Sequence, residues 1–87
     1  MPELVLLTFP STFYALRAEK MVQEAGLKGR LIPVPRELSS LCGLALELDP
    51  AETARALYLL RARGIEPERR VQAVKEGPCF KDIRDIP

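Results

Sequence analysis

The sequence predicts one α+β domain in which two helices cover one face of an antiparallel sheet. Three observations lead to this prediction. The chain has 87 residues, a length that allows a single domain. Short apolar runs bounded by turn residues alternate with two longer amphipathic stretches, in the order β-α-β-β-α-β. The apolar fraction of 47% is that of a globular protein, and it argues against a disordered chain.

The first strand and the first helix are marked by an apolar run and a capping residue. Residues 4–9 (LVLLTF) are short and apolar and precede a proline, which is typical of a buried strand that ends in a turn. Ser11 or Thr12 offers a side-chain oxygen to the free N–H groups of a helix that we expect to run to about Ala25. Gly26 then supplies a left-handed helix end. The predicted apolar face consists of Tyr14, Ala18, Met21, Val22 and Ala25.

Two short strands follow, separated by a connection without periodicity. Residues 30–34 predict the second strand, and Pro33 within it predicts a position at the edge of the sheet, because proline cannot donate to a ladder. Residues 35–42 (PRELSSLC) form the connection. Residues 43–48 alternate weakly and predict the third strand.

The second helix has a strong start signal. In residues 49–52 (DPAE), Asp49 caps the helix, the proline takes the first helical position, and Glu52 can reach back to the cap. We expect this helix to run to about Arg63, with an inner face marked by Ala54, Leu57, Tyr58 and Leu60 or Arg61. Residues 69–74 predict the fourth strand.

Right-handed crossovers on this order of elements give the ferredoxin-like split βαβ sandwich. Its four antiparallel strands lie in the order 4-1-3-2, with both helices on one face. The second strand is then an edge strand, which agrees with Pro33. On this prediction residues 1–75 form the single domain, and residues 76–87 form an extended C-terminal extension.

The predicted topology has a consequence for the two cysteines. We expect strands one and three to be parallel, with both helix N-termini at one end of the sheet. Residues 35–42 and the exit of strand four would then lie at the other end. On this arrangement Cys42 and Cys79 approach each other, and no helix N-terminus helps to activate Cys42.

Composition excludes several classes of function. The chain has 13 Lys and Arg against 12 Asp and Glu, so a polyanion partner held by a basic surface is not expected. The chain contains no histidine, and its two cysteines cannot complete a four-ligand zinc site, so no metal and no cofactor are expected. The N-terminal apolar run is too short for a signal peptide or a membrane span. These observations favour a cytoplasmic protein that binds neither nucleic acid nor membrane.

The connection before the third strand could carry chemistry. Cys42 has a thiol that can act as a nucleophile in its deprotonated form. Arg36 is the nearest positive charge in the sequence, and a cation near the thiol favours the reactive thiolate. Ser39 and Ser40 can donate hydrogen bonds to an anion, and Gly43 leaves room beside the thiol. Pro33 and Pro35 stiffen the entry by fixing φ. The residues also allow a structural interpretation, in which Cys42 is a small core residue and the serines form a turn.

The stretch from residue 7 to residue 50 resembles the family of selenium/sulfur carrier-like proteins. The matching features are the Ser/Thr entry to the first helix, AEK within it, and above all the run IPVPRELSSLCGLAL at 32–46. The resemblance extends over about residues 4–65. It implies that Cys42 carries sulfur or selenium as a persulfide or selenosulfide. The corresponding motif positions are Pro35, Arg36, Ser39, Ser40, Cys42 and Gly43. It also implies a carrier rather than a turnover enzyme, loaded by a cysteine desulfurase-type donor and unloaded by an acceptor protein.

Three choices remain open. Cys79 lies outside the motif and is either a second thiol that resolves a persulfide on Cys42 or a tail residue beside Phe80. The chain is either a carrier or a non-enzymatic regulatory module that forms a homodimer through its sheet. In the second case Cys42 is structural. A set of arginines near the fourth strand could steer a docking partner or form a solvated face: Arg61, Arg63, Arg69 and Arg70.

Overall fold

A computed structural model describes residues 3–35, 38, 43–77 and 79–86. In this part of the chain, five strands form one sheet and two helices pack against it. The elements are β1 (Glu3–Thr8), α1 (Thr12–Glu24), β2 (Arg30–Pro33), β3 (Leu44–Leu48), α2 (Pro50–Ala62), β4 (Arg69–Glu76) and β5 (Cys79–Asp85). The α+β prediction is confirmed.

The sheet differs from the predicted four-stranded arrangement. The strand order is β2-β3-β1-β4-β5, and every neighbouring pair is antiparallel. The order 4-1-3-2 therefore does not describe the whole sheet, and the ferredoxin-like split βαβ sandwich is not established. β2 lies at one edge, as Pro33 predicts. β5 forms the other edge, and whether residues 1–75 fold without it stays a prediction.

The fifth strand escaped the sequence analysis because its apolar residues are spaced irregularly. Phe80 and Ile83 are three positions apart, so regular alternation would place them on opposite faces of the sheet. The β4–β5 register shifts between Gln72 and Val74, where Asp82 has a positive φ of 54°. This bulge inserts one residue, and Phe80 and Ile83 both pack against the same cluster.

The expectation that strands one and three are parallel is wrong. Val5 of β1 pairs with Leu48 of β3, and Thr8 pairs with Ala45, so the two strands run in opposite directions. The reason is the connectivity, because the β1–α1–β2 crossover makes β1 and β2 parallel, and β3 pairs antiparallel with β2. The N-termini of α1 and α2 consequently lie at opposite ends of the sheet.

The first helix begins as predicted and turns most of the predicted face to the core, since Ala18 and Val22 are buried and Met21 and Ala25 pack against the core. The side chain of Ser11 caps α1 and accepts a hydrogen bond from the Tyr14 N–H at 3.4 Å. Tyr14 itself is exposed, which corrects its assignment to the inner face. The buried residues of α1 are Ala15, Ala18 and Val22. Two alanines on this face let the helix lie close to the sheet.

The second helix also begins as predicted, but its inner face differs from the predicted one. Asp49 caps α2 by accepting a hydrogen bond from the Ala51 N–H at 2.9 Å, with a proline at the first helical position. The carboxylate of Glu52 accepts from the Lys28 N–H at 3.1 Å, so it ties α2 to the turn after α1. Ala54 and Tyr58 are exposed, contrary to the prediction. The buried residues are Thr53, Ala56 and Leu60, so only Leu60 of the predicted face is fully buried.

Both faces of the sheet bury apolar side chains. The larger cluster lies under the two helices and includes Val5, Leu7, Phe9, Leu46 and Leu48. The smaller cluster lies on the face without helices, called here the helix-free face. It consists of Leu6, Leu38, Ala45, Val71 and Ala73, with Ile32, Val34, Phe80 and Ile83 packed around it. Leu38 reaches this cluster from the connection between β2 and β3.

Candidate functional site

The connection between β2 and β3, residues 34–43, is called here the β2–β3 loop. Of the predicted site residues, the structure describes Pro33, Pro35 and Gly43. The others lie outside the described residues: Arg36, Ser39, Ser40 and Cys42. Their assignment to the site stays a prediction that rests on the sequence. The described residues nevertheless establish where the loop begins and ends and how it is held.

Two backbone hydrogen bonds and one buried side chain hold the loop. The Val34 N–H donates to the Gly43 carbonyl at 3.0 Å, which closes the base of the loop. The Leu38 N–H donates to the Pro35 carbonyl at 2.9 Å and forms a turn. The Leu38 side chain is 1% exposed and packs in the helix-free cluster. Leu38 is therefore packed against the sheet, and the two ends of the loop are joined by a hydrogen bond.

Gly43 is required by its backbone conformation. Its φ of +73° lies in the left-handed region, which side chains with a Cβ rarely adopt. Among the described residues, and apart from its chain neighbours, no atom lies within 4 Å of the position that a Cβ would take. Steric crowding among the described residues therefore does not explain the glycine. The positive φ of the residue directly after Cys42 is therefore the reason for a glycine at the start of β3.

The β2–β3 loop lies at the end of the sheet where β1 leads into α1. Thr8, the last residue of β1, pairs with Ala45, the second residue of β3. Ser11 then starts α1 three residues after Thr8. The loop base and the first turn of α1 thus share one end of the sheet. The expectation that no helix N-terminus lies near this loop is wrong, because it followed from the assumed parallel pairing.

Cys79 lies at the opposite end of the sheet. It begins β5 opposite Glu76, beyond the pair that Glu3 of β1 makes with Val74. Gly43 lies beyond the other end of β1, and the six residues of that strand span about 20 Å. The expectation that the β2–β3 loop and Cys79 come together is therefore wrong. Cys79 is a free, exposed thiol.

The helix-free face carries an ion-pair cluster that the sequence analysis missed. The Glu47 carboxylate lies 3.3 Å from Arg30 Nε and 3.7 Å from Lys75 Nζ. The Glu47 side chain is only 12% exposed, and its Oε2 atom accepts no hydrogen bond from the described residues. The two cations come from β2 and β4, so the carboxylate links an edge strand to the centre of the sheet. The signal was a glutamate within the otherwise apolar strand LALEL.

The predicted arginine set is partly neutralised. Arg61 makes two hydrogen bonds to the Glu66 carboxylate, at 2.9 and 3.2 Å, and Arg69 pairs with Asp85 at 2.9 Å. The hydrogen bond from Arg61 lowers the pKa of Glu66 below its ordinary value of 4.5. Two of the four arginines therefore already have carboxylate partners within the chain, which favours a solvated face.

Two further properties of the described residues bear on the site. Within the described ranges, no three Cys, Asp or Glu side chains come together in a way that could hold a metal ion. Neither described helix is long and apolar enough to cross a membrane.

Comparison with protein families identifies the chain. A model of the family described as "Putative Se/S carrier protein-like" matches residues 4–72. The chain belongs to this family. The match begins in β1, includes the whole β2–β3 loop and ends in β4, so β5 lies outside it. Comparisons with curated proteins and with solved structures found no significant match. The family resemblance seen in the sequence is thereby confirmed.

Proposed function

We propose that this Se/S carrier-family chain carries one sulfur or selenium atom on Cys42, as a persulfide or selenosulfide. The observation that carries the proposal is the family match, which spans the complete β2–β3 loop with its single cysteine. The family description supports a carrier of sulfur or selenium, and the residue assignment is our own. We further propose that a cysteine desulfurase-type donor loads the chain in the cytoplasm and that an acceptor protein unloads it.

The loading step is a thiol exchange that needs no cofactor. The Cys42 thiolate attacks the terminal sulfur of the donor's persulfide, and a new S–S bond forms on Cys42. The donor's own S–S bond breaks, and the donor cysteine leaves as a thiolate. One S–S bond is formed and one is broken, so the step requires no external oxidant or reductant. Unloading repeats the exchange, with an acceptor thiolate as the nucleophile and Cys42 as the leaving group.

The described geometry supports this chemistry in two ways. Leu38 is buried against the sheet, and the hydrogen bond from Val34 to Gly43 joins the two ends of the loop, so a docking partner meets these described residues already in place. The first turn of α1 lies at the same end of the sheet. A helix N-terminus is the positive end of the macrodipole, which favours a thiolate over a thiol. We assign Arg36, Ser39, Ser40 and the Gly43 N–H to stabilising the same anion.

The alternative regulatory homodimer has less support from the fold. The centre of the helix-free face is already buried within one chain, since Leu6, Val71 and Ala73 are buried in one cluster with Leu38. A dimer through this face would have to displace them. The edges β2 and β5 remain for such pairing, but β2 has only four residues and ends in Pro33.

The test is the intact mass of the reduced protein after incubation with a cysteine desulfurase and cysteine. We expect a gain of one sulfur atom that is lost on treatment with a reducing thiol. The gain should be absent in Cys42→Ser and retained in Cys79→Ser, which is the matched control because Cys79 is the exposed thiol. Replacing the sulfur source by selenide and an oxidised thiol tests selenium in the same way. A wild-type protein that gains no mass from any of these sources contradicts the proposal.

A further inference from the structure

The first half of α1 exposes large apolar side chains on the surface. Phe13 is 59% exposed, Leu16 54% and Tyr14 40%. Phe13 and Leu16 lie on the side of the helix opposite the buried Ala15, Ala18 and Val22. Arg17 and Lys20 continue the same exposed stripe toward the middle of the helix. The α1 patch is defined here as Phe13, Tyr14, Leu16, Arg17 and Lys20.

The aromatic part of the α1 patch is held in a defined arrangement. The rings of Phe13 and Tyr14 meet edge to face, with centroids 5.4 Å apart and planes inclined by 73°. The Arg17 guanidinium lies 5.6 Å from the Phe13 ring centroid, within the range of a cation–π contact. These contacts limit the rotamers of the exposed side chains, so a partner that binds them loses less conformational entropy.

The charge of the α1 patch is positive. α1 has no acidic residue in its first turn, so the positive end of its dipole is not neutralised by a side chain there. Arg17 and Lys20 make no ion pair with any residue of the described chain. Glu19 lies between them in sequence, but its carboxylate accepts a hydrogen bond from the Leu31 N–H at 2.8 Å and is held against β2. The surface therefore combines apolar rings with two unpaired cations.

The α1 patch lies at the end of the sheet that holds the β2–β3 loop. Phe13 is in the first turn of α1, at the end where β1 stops and β3 begins. Cys79 and the β4–β5 turn are at the other end. A protein that docks on the α1 patch is thus placed on the side of the molecule from which the β2–β3 loop emerges.

We propose that the α1 patch is the docking surface for the sulfur donor protein, and that the donor presents an apolar pocket edged by carboxylates. This inference rests on the proposed carrier function. Aromatic and arginine anchors beside each other are the composition of binding hot spots, and unpaired cations favour an acidic partner. A second copy of this chain fits less well, because a two-fold axis near Leu16 would bring Arg17 and Lys20 close to the same cations of the other copy.

The experiment compares two sulfur sources on the same set of variants. One source is a cysteine desulfurase with cysteine, which must dock. The other is inorganic polysulfide, which reaches the thiol without docking. Phe13→Ala and Arg17→Glu alter the α1 patch at exposed positions, so both variants should remain folded. Arg84→Glu makes the same charge change at an exposed residue of β5 and serves as the matched control.

We expect Phe13→Ala and Arg17→Glu to lower the second-order rate of loading by the desulfurase about tenfold, the effect of losing one interface anchor. Loading by polysulfide should stay as in the wild type, and Arg84→Glu should behave as the wild type with both sources. The defect of Arg17→Glu should shrink as salt is raised, because the attraction that it removes is screened.

Three results overturn the inference in distinguishable ways. Equal loading of the wild type and both α1 variants by the desulfurase removes the α1 patch as a docking surface. A wild-type dimer in sedimentation equilibrium that Arg17→Glu converts to a monomer assigns the patch to a second copy. A wild-type protein that gains sulfur from neither source refutes the carrier function on which the inference rests.

Discussion

Replacing Leu38 by alanine removes the side chain that fastens the β2–β3 loop to the sheet. Leu38 is 1% exposed and packs with Leu6, Ala45 and Val71 on the helix-free face. Truncation of a buried leucine costs about 2–5 kcal/mol, depending on how far the site collapses. Leu38 lies on a loop and the residues around it are partly exposed, so the site can collapse and the lower half of the range, about 2–3 kcal/mol, is expected. In a domain of this size that loss lowers Tm by roughly 8–24 °C.

The assay is urea unfolding of Leu38→Ala beside Leu16→Ala. Leu16 is 54% exposed on α1, so the same truncation there should change the free energy of unfolding by less than about 0.5 kcal/mol. Native-state hydrogen exchange supplies a local readout. The Val34 N–H, which closes the loop base, should exchange faster in Leu38→Ala and unchanged in Leu16→Ala. If both variants unfold within about 0.5 kcal/mol of the wild type, Leu38 does not anchor the loop and the reasoning fails.

Three further predictions concern packing, capping and pH. Gly29→Ala should lower the free energy of unfolding by about 1–3 kcal/mol in urea titrations, because the alanine Cβ would lie 2.7 Å from a methyl group of Val22. An unchanged free energy of unfolding would mean that α1 shifts freely to make room. Asp49→Ala should cost about 1 kcal/mol by the same measurement through loss of the α2 cap, and Asp49→Asn should recover most of it. NMR titration of the Glu66 carboxyl should give a pKa below 4.5 that rises in Arg61→Gln, where only Arg70 still lowers it. The stabilisation that the lowered pKa contributes is present above the ordinary pKa and is lost as pH falls through the lowered one.

Local signals predicted most elements of this fold correctly. Ser11 caps α1 and Asp49 caps α2 as expected, since a capping side chain acts within three residues of its own position. Pro33 correctly predicted an edge strand, because a missing N–H is a property of the residue itself. Which helix residues face the sheet was harder to predict. Tyr14 and Tyr58 are exposed although their spacing fits an apolar face, because alanines take the positions nearest the sheet.

The sequence was sufficient to predict which residues belong to the candidate site, but not which other elements lie near it. The run at 32–46 identified the family from sequence alone, because a family motif is a property of residue order. The partners of the β2–β3 loop depend on strand direction, which no single residue encodes. The assumption that β1 and β3 are parallel led to two wrong placements: the α1 N-terminus was expected far from the loop, and Cys79 was expected close to it. The antiparallel pairing of Val5 with Leu48 reverses both placements.

The sequence by itself determined the order of the first six elements, the capping residues, the edge position of β2 and the family. These properties depend on neighbours within a few residues of each other or on residue order. Tertiary structure alone decided that the tail forms β5, because a bulge opposite Ala73 had to bring Phe80 and Ile83 onto one face. It also decided that Leu38 covers the helix-free face and that the α1 patch shares an end of the sheet with the β2–β3 loop. Those placements follow from long-range strand pairing, whose register is fixed only when both faces of the sheet are buried together.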